Sequence, residues 1–352
     1  SWGKQNWFGN AAHEHGLIRN GCGFYDMSSF GKIKIDGLHA EAFLNRVCGG
    51  DMSVPNGKIV YTQMLNSRAG IEADVTVPRL SEFSYLMVTP AATLVKDIAW
   101  LRRFEDPDDA VFITDITAGE AVLAVMGPKS REVLQSISPA DFSNEAFPFG
   151  TARDIDIGLG LARAHRVSYV GELGWEIYIP SDMAAHVMET LIEAETGARP
   201  VGLHTMDNCR IERAFRHMGH DITPEDHVVE AGLGFAVKVN KKADFNGRNA
   251  VLRKREEGLK RRMLQFRMND PDVMLYHNEP IVRDGRIVGH IASGAYGHTL
   301  GGAIGLGYVP CEGQSVEDCL SSPYEIEVAG RRHSADVSFR PMYDPTGERL
   351  KM

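Results

Sequence analysis

The chain has 352 residues, 43% of them hydrophobic and 24% charged, which suffices for two or three domains around a substantial core and excludes a disordered or fibrous protein. A net charge of −9 argues against nucleic acid or an anionic membrane as the main partner, while leaving room for a local basic patch to hold an anionic ligand. The five cysteines, Cys22, Cys48, Cys209, Cys311 and Cys319, are odd in number, contain no C-x-x-C and are spread along the chain, which disfavours a disulfide framework or a zinc site and fits a reducing compartment, the cytoplasm or a mitochondrial matrix.

The N-terminus lacks the basic and apolar regions of a signal peptide, and no run of about 18 apolar residues follows it, so a soluble protein is expected. A start at Ser1 fits a processed protein, part of a longer polypeptide or an expression scar. Ala11 to Ile18 reads as a short helix, Lys32 to Asp36 as an alternating strand and Ala40 to Val47 as an amphipathic helix. Ile59 to Leu65 is a second strand. Asn66 to Gly70 is a turn that delivers Ile71 to Val77, where a period of two puts Ile71, Ala73, Val75 and Val77 on one face and Glu72, Asp74 and Thr76 on the other. Asp74 is then either a plain solvent-facing acid or an acid placed for a purpose, since Asp is depleted in strand interiors.

Phe83 to Val88 is a third strand, and Ala91 to Phe104 a helix. Val111 to Ile116 and Ala121 to Val125 read as a hairpin-like pair, followed by a helix through Val133 and Leu134. The stretch from Arg166 to Pro180 reads as two strands joined at a glycine turn, Gly171 to Gly174, with Glu172 and Glu176 flanking the bend. Glu176 stands between Trp175 and Ile177, where a carboxylate must be solvated, paired or bonded to something specific. Two readings are open: a hairpin with Glu176 on its wet face, or an acid that takes two hydrogen bonds from a flat heterocycle stacked among aromatics.

Met183 to Glu195 and Gly202 to Phe215 read as helices, and Asp244 opens one more that ends near Gly258. His217, His220 and Asp221 invite a metal reading, but Gly219 and the following Thr223-Pro224 read as loop and no second ligand cluster accompanies them. The basic run around Arg253 to Arg262 reads as a solvated helix end or strand approach. From Arg261 onward, short strands at close spacing suggest a small barrel or sandwich. No G-x-G-x-x-G or Walker pattern occurs.

Five stretches, Gly70 to Val77, Tyr169 to Ile177, Arg210-Ile211-Glu212, Glu230 to Gly234 and Ser293 to Tyr308, fall in the order found in the glycine-cleavage T-protein. The chain resembles that family over nearly its whole length, most of all the tetrahydrofolate-binding half of dimethylglycine and sarcosine dehydrogenases and oxidases. The resemblance implies an α+β fold of two ferredoxin-like layers over residues 1–258 and a C-terminal β-barrel over 259–352, around a central folate channel. It implies that Glu176 holds the pterin ring, that Tyr169 lies near the reacting nitrogens, that Asp74 faces the one-carbon transfer site and that Arg210 lines the channel. Where the T-protein carries a second acid beside the catalytic one, this chain has Ala73. The activity implied is capture of an iminium or formaldehyde carbon, from an N-methylglycine type donor, as 5,10-methylenetetrahydrofolate. Its partners would be folate, a small methylated amine and a flavin-dependent dehydrogenase domain or subunit, with no flavin on this chain and no nucleic acid or membrane. A free-standing aminomethyltransferase or demethylating methyltransferase, and a non-catalytic folate- or partner-binding module, are the alternatives.

Overall fold

A computed structural model describes residues 2–194 and 197–352; Ser1, Glu195 and Thr196 lie outside the described residues. The first sheet is antiparallel, with strands in the order Ile59–Leu65, Ile71–Ser81, Ser84–Thr89, Gly31–Asp36 and Phe112–Asp115. The second has six strands, Arg199–Pro200, Gly23–Asp26, Glu120–Met126, Gly174–Pro180, Gly160–His165 and Ala152–Ile157, and only its first pair is parallel. Six further strands from Arg261–Met268 to Arg331–Ser338 close into a barrel.

Two helices cover the outer face of each sheet. In the first, Ala73, Val75, Val77 and Met87 pack with Phe43, Leu44 and Val47 of the Ala40–Val47 helix and Leu101 of Leu94–Arg102. In the second, Leu123, Val125, Trp175 and Ile177 pack with Val133 and Leu134 of Ser130–Ile137 and Val187 and Leu191 of Ala184–Glu193. The inner faces turn toward each other: Tyr25, Val122, Ala124 and Tyr178 share a cluster with Leu86 and Val88, joined by Ile18 of the Phe8–Asn20 helix and Cys209 of Leu203–Glu212. A polar residue on either inner face is therefore enclosed between two layers. The barrel closes one side of that space, with Met263, Ile304 and Leu306 packed on Leu65, Ile71 and Ile211.

Two expected hairpins are absent. Phe112–Asp115 pairs with Gly31–Asp36 in the first sheet, whereas Glu120–Met126 pairs with Gly23–Asp26 in the second. The single turn Thr117–Gly119, begun by Asp115 accepting from the Thr117 amide at 2.9 Å, carries the chain between layers. Adjacent strands in sequence pair only when the turn reverses the chain within one sheet, and this one does not. Gly174–Pro180 takes Gly160–His165 as its hairpin neighbour rather than residues 166–170. The intervening segment is drawn off the sheet at Gly171, whose φ of 82° suits glycine, because Glu172 is held by Arg19, Tyr343 and Arg349. The helix expected from Met183 to Glu195 is described as Ala184–Glu193. Among the described residues no helix is long and apolar enough to cross a membrane.

Candidate active site

Glu176 belongs to the inner face of the six-stranded sheet. Alternation along Gly174–Pro180 sends Trp175, Ile177 and Ile179 beneath the helices, leaving Glu176 and Tyr178 on the opposite side. The Glu176 carboxylate is 8% exposed and accepts from the Tyr178 hydroxyl at 2.9 Å. Among the described residues it has no ion pair. Burial pushes its carboxyl up to about 7, against the opposing pull of the Tyr178 bond. Register places Tyr25, Ala124, Glu176 and His165 in one row across four strands. Two polar atoms of that row, the Tyr25 hydroxyl and His165 Nδ1, are buried with no hydrogen-bond partner among the described residues. His165 lies against the Tyr178 ring, centroids 4.0 Å apart, and burial holds it well below the usual histidine range. A buried acid without a cation, beside unpaired polar atoms, is costly unless a ligand with hydrogen-bond donors completes it.

Asp74 comes from the other sheet. Its strand follows Gly70, where a Cβ would meet the Pro224 carbonyl oxygen at 1.9 Å, so only glycine lets the 223–228 loop pack this closely. The expected parity holds: Ala73, Val75 and Val77 are buried under helices and Asp74 is on the opposite face. That face is the interior of the two-layer stack rather than its outside. Gln63, directly across the antiparallel pair, donates Nε2–H to Asp74 Oδ1 at 2.8 Å, and the Tyr61 hydroxyl lies beside the same carboxyl. Burial pushes the Asp74 carboxyl up to about 6, while Gln63, Tyr61 and the Arg216 guanidinium pull it down. Asp74 retains some access to solvent.

Tyr169 and Arg216 lie close enough to Asp74 to couple with it electrostatically. The Tyr169 hydroxyl donates to the Arg216 carbonyl at 2.9 Å, and its ring is parallel to Phe215 at 6.0 Å. Arg216 is fixed by bonds to the Ala231 and Ala214 carbonyls at 3.0 and 2.6 Å. The chain is bent there by Ala214, a non-glycine residue at φ 54°, a strained conformation kept by its surroundings.

Arg210 stands on the Leu203–Glu212 helix. It is 1% exposed, and it donates to Asp207 and Asp221 at 2.6 Å each and to the Phe215 carbonyl at 3.1 Å. These bonds set the 213–221 turn beside Tyr169 and use three of the five guanidinium N–H groups, with no bond from Nη2 among the described residues. Asp221 also accepts from Ser293 at 2.5 Å and from the His217 amide at 2.9 Å, so its carboxylate is spent on structure. His217 and His220 face each other with centroids 4.6 Å apart.

The structure thus brings Asp74 and Tyr169 together, sets Glu176 in the same inter-sheet space and ties Arg210 to Asp207 and Asp221. Sequence reasoning passed over Tyr61, Gln63, Arg216, Tyr25 and His165. Only Gln63 left a signal, an amide in the middle of the apolar strand Ile59–Leu65.

Residues 1–241 match the GCVT N-terminal domain and residues 261–344 the glycine cleavage T-protein C-terminal barrel domain. The chain belongs to the glycine-cleavage T-protein family. This T-protein chain is 41% identical over 353 residues to 4-methylaminobutanoate oxidase (formaldehyde-forming) of Paenarthrobacter nicotinovorans, covering 100% of itself and 42% of that protein. It is 33% identical over 352 residues to the mitochondrial sarcosine dehydrogenase of Homo sapiens, covering 95% of itself and 38% of that protein. It therefore spans less than half the length of either relative. Among solved structures, the glycine cleavage system aminomethyltransferase T of Bartonella henselae superposes with a TM-score of 0.85 at 26% identity, over 95% of this chain and 90% of that one.

Proposed function

We propose that this T-protein chain captures a one-carbon unit on tetrahydrofolate, with Glu176 as the anchor of the pterin ring and Asp74 at the site of carbon transfer. One observation carries the reading: a buried carboxylate with no cation, flanked by unpaired polar atoms of Tyr25 and His165, on an inner sheet face turned toward the face that bears Asp74. Pterin offers an amino group and a ring N–H, two donors that one carboxylate can accept together.

In this reading tetrahydrofolate supplies the two nitrogens that take up the carbon. An iminium donor leaves as the protonated amine, carrying the two hydrogens lost from those nitrogens; formaldehyde leaves as water. Asp74 stabilises the cationic donor and relays a proton between the attacking nitrogen and the departing group. Arg216 holds Asp74 from becoming too basic, and Tyr169 orders the turn beside it. Arg210 acts through the position of Phe215 and Asp221.

The relatives, a 4-methylaminobutanoate oxidase and a sarcosine dehydrogenase, support the donor class proposed: an N-methyl amino acid oxidised on a flavin-bearing domain or subunit outside these residues. The folate region is assigned to 1–258 and the barrel to 259–352. The superposition on nearly all of an aminomethyltransferase chain favours a second reading, transfer from a lipoyl-bound aminomethyl group with no flavin step. Supplying formaldehyde or a lipoyl-bound donor in turn separates the two.

Anaerobic calorimetric titration of tetrahydrofolate into the protein and into Glu176→Ala tests the anchor. The variant is expected to lose about 2 kcal/mol, roughly thirtyfold in Kd, as for one lost charge-assisted contact. Equal binding by both proteins overturns the assignment of Glu176.

A further inference from the structure

We infer that Gln63 is a positioning residue that serves Asp74 in both of its protonation states, by rotation of its side-chain amide. The inference rests on the reading of Asp74 as the group that meets the reacting carbon, and it adds how that carboxyl holds and returns a proton.

Gln63 is fully buried, and its Nε2 donates to Asp74 Oδ1 at 2.8 Å. Its other amide atom, Oε1, is buried with no hydrogen-bond partner among the described residues. A buried carbonyl oxygen left unpaired costs about 1–3 kcal/mol, and here that cost stands beside an ionisable group. A half-turn of the amide exchanges its two ends. With Nε2 toward Asp74 the pair suits a carboxylate, which only accepts. With Oε1 toward Asp74 it suits a carboxylic acid, whose O–H donates and fills the oxygen that was unpaired. Asp74 can then gain and lose a proton without losing its hydrogen bond.

The groups around Asp74 leave both states within reach. Tyr61, on the same strand as Gln63, lies beside the carboxyl; Arg216 approaches from the turn after the Leu203–Glu212 helix, and Tyr169 from the 166–173 segment. On the same face of its own strand, Glu72 is engaged with Asn66 at 3.1 Å and Lys96 at 3.9 Å. Burial favours the acid, whereas Gln63, Tyr61 and Arg216 favour the carboxylate. In the transfer step the N–H bond of the attacking nitrogen breaks and its proton forms the Asp74 O–H, held by Gln63 Oε1. That O–H then breaks as the proton passes to the departing amine. No oxidant or reductant enters.

The test is infrared difference spectroscopy of the protein as pH is lowered from 8 to 4.5, with no folate or donor present. A carboxylic-acid C=O band is expected that disappears in Asp74→Asn, and in Gln63→Leu it is expected to move to the higher frequency of an acid without a partner. An Asp74 band at the same position in the parent and in Gln63→Leu overturns the proposal. If Gln63→Leu does not fold, isotope-edited spectra of the Gln63 amide in the unaltered protein serve instead: its C=O band shifts across the same pH range, or the proposal fails. Both readouts are independent of folate binding, so loss of the folate assignment and loss of the Gln63 assignment are seen separately.

Discussion

Arg19 and Glu212 meet at 2.7 Å, with side chains 5% and 0% exposed. Arg19 also reaches Glu172 at 3.0 Å and the carbonyls of Val170 and Cys209, tying the N-terminal helix to the segment that bears Tyr169. Removing one member of such a cluster strands the others as buried charges. Arg19→Met is expected to cost about 3–5 kcal/mol in chemical denaturation, far more than a surface pair would.

The same pair sets an acid limit. Burial works to raise the Glu212 carboxyl, but His15 and Arg19 outweigh it and hold the group down at about 2, against an ordinary value of 4.5. A depressed folded pKa means that the unfolded chain binds the proton first. The stability contributed by Glu212 is therefore complete above about pH 4.5 and lost as pH falls toward 2. Denaturation midpoints of the parent and Glu212→Gln, compared between pH 6 and 3, are expected to converge as pH falls.

Glu176 behaves in the opposite sense. Its folded carboxyl titrates at about 7 against 4.5 ordinarily, so between those values the folded protein holds a proton that the unfolded chain has released. Stability of the ligand-free protein is expected to fall as pH rises from about 4.5 to 7 and then to level. Glu176→Gln removes that slope and melts higher than the parent at pH 8, while binding tetrahydrofolate more weakly. Calorimetry below pH 7 in buffers of different ionisation enthalpy is expected to show proton release as the ligand binds.

How much of this was legible in the sequence depends on what a period of two can say. Alternation assigned Asp74 to the face away from Ala73 and Val75, and it marked Glu176 as anomalous between Trp175 and Ile177. It could not say what stands opposite each face, so solvent and the interior of a two-layer stack looked alike. Arg210 was recognised by its neighbours in the chain, yet its placement is set by Asp221, a partner eleven positions on across a turn, which periodicity does not reach. The hairpins proposed at 111–125 and 166–180 fail because strand neighbours are chosen by the layer that each strand enters. Tyr25 and His165 gained meaning only from register across four strands.

Arg210 pairs with Asp221 through Nη1, so Arg210→Ala is expected to leave Asp221 as an uncompensated buried acid and lower stability by about 3–5 kcal/mol. Folate affinity measured well below the melting temperature is expected to change less than in Glu176→Ala. A selective loss of affinity at unchanged stability would give Arg210 a direct contact with the ligand.

Tyr25 separates a ligand contact from a packing residue. Its hydroxyl is buried and unpaired among the described residues, close enough to Glu176 to feel its charge, with only the Ala124 methyl between their strands. Removing that oxygen relieves an unsatisfied polar group, so Tyr25→Phe is expected to be neutral or up to about 1 kcal/mol more stable without ligand. If the hydroxyl completes the ring site beside Glu176, the same variant binds tetrahydrofolate about 5- to 10-fold more weakly, the loss of one neutral hydrogen bond. Thermal melting and calorimetry on one preparation give both numbers. A variant that is more stable and binds equally well would place the ring elsewhere along the Glu176 face.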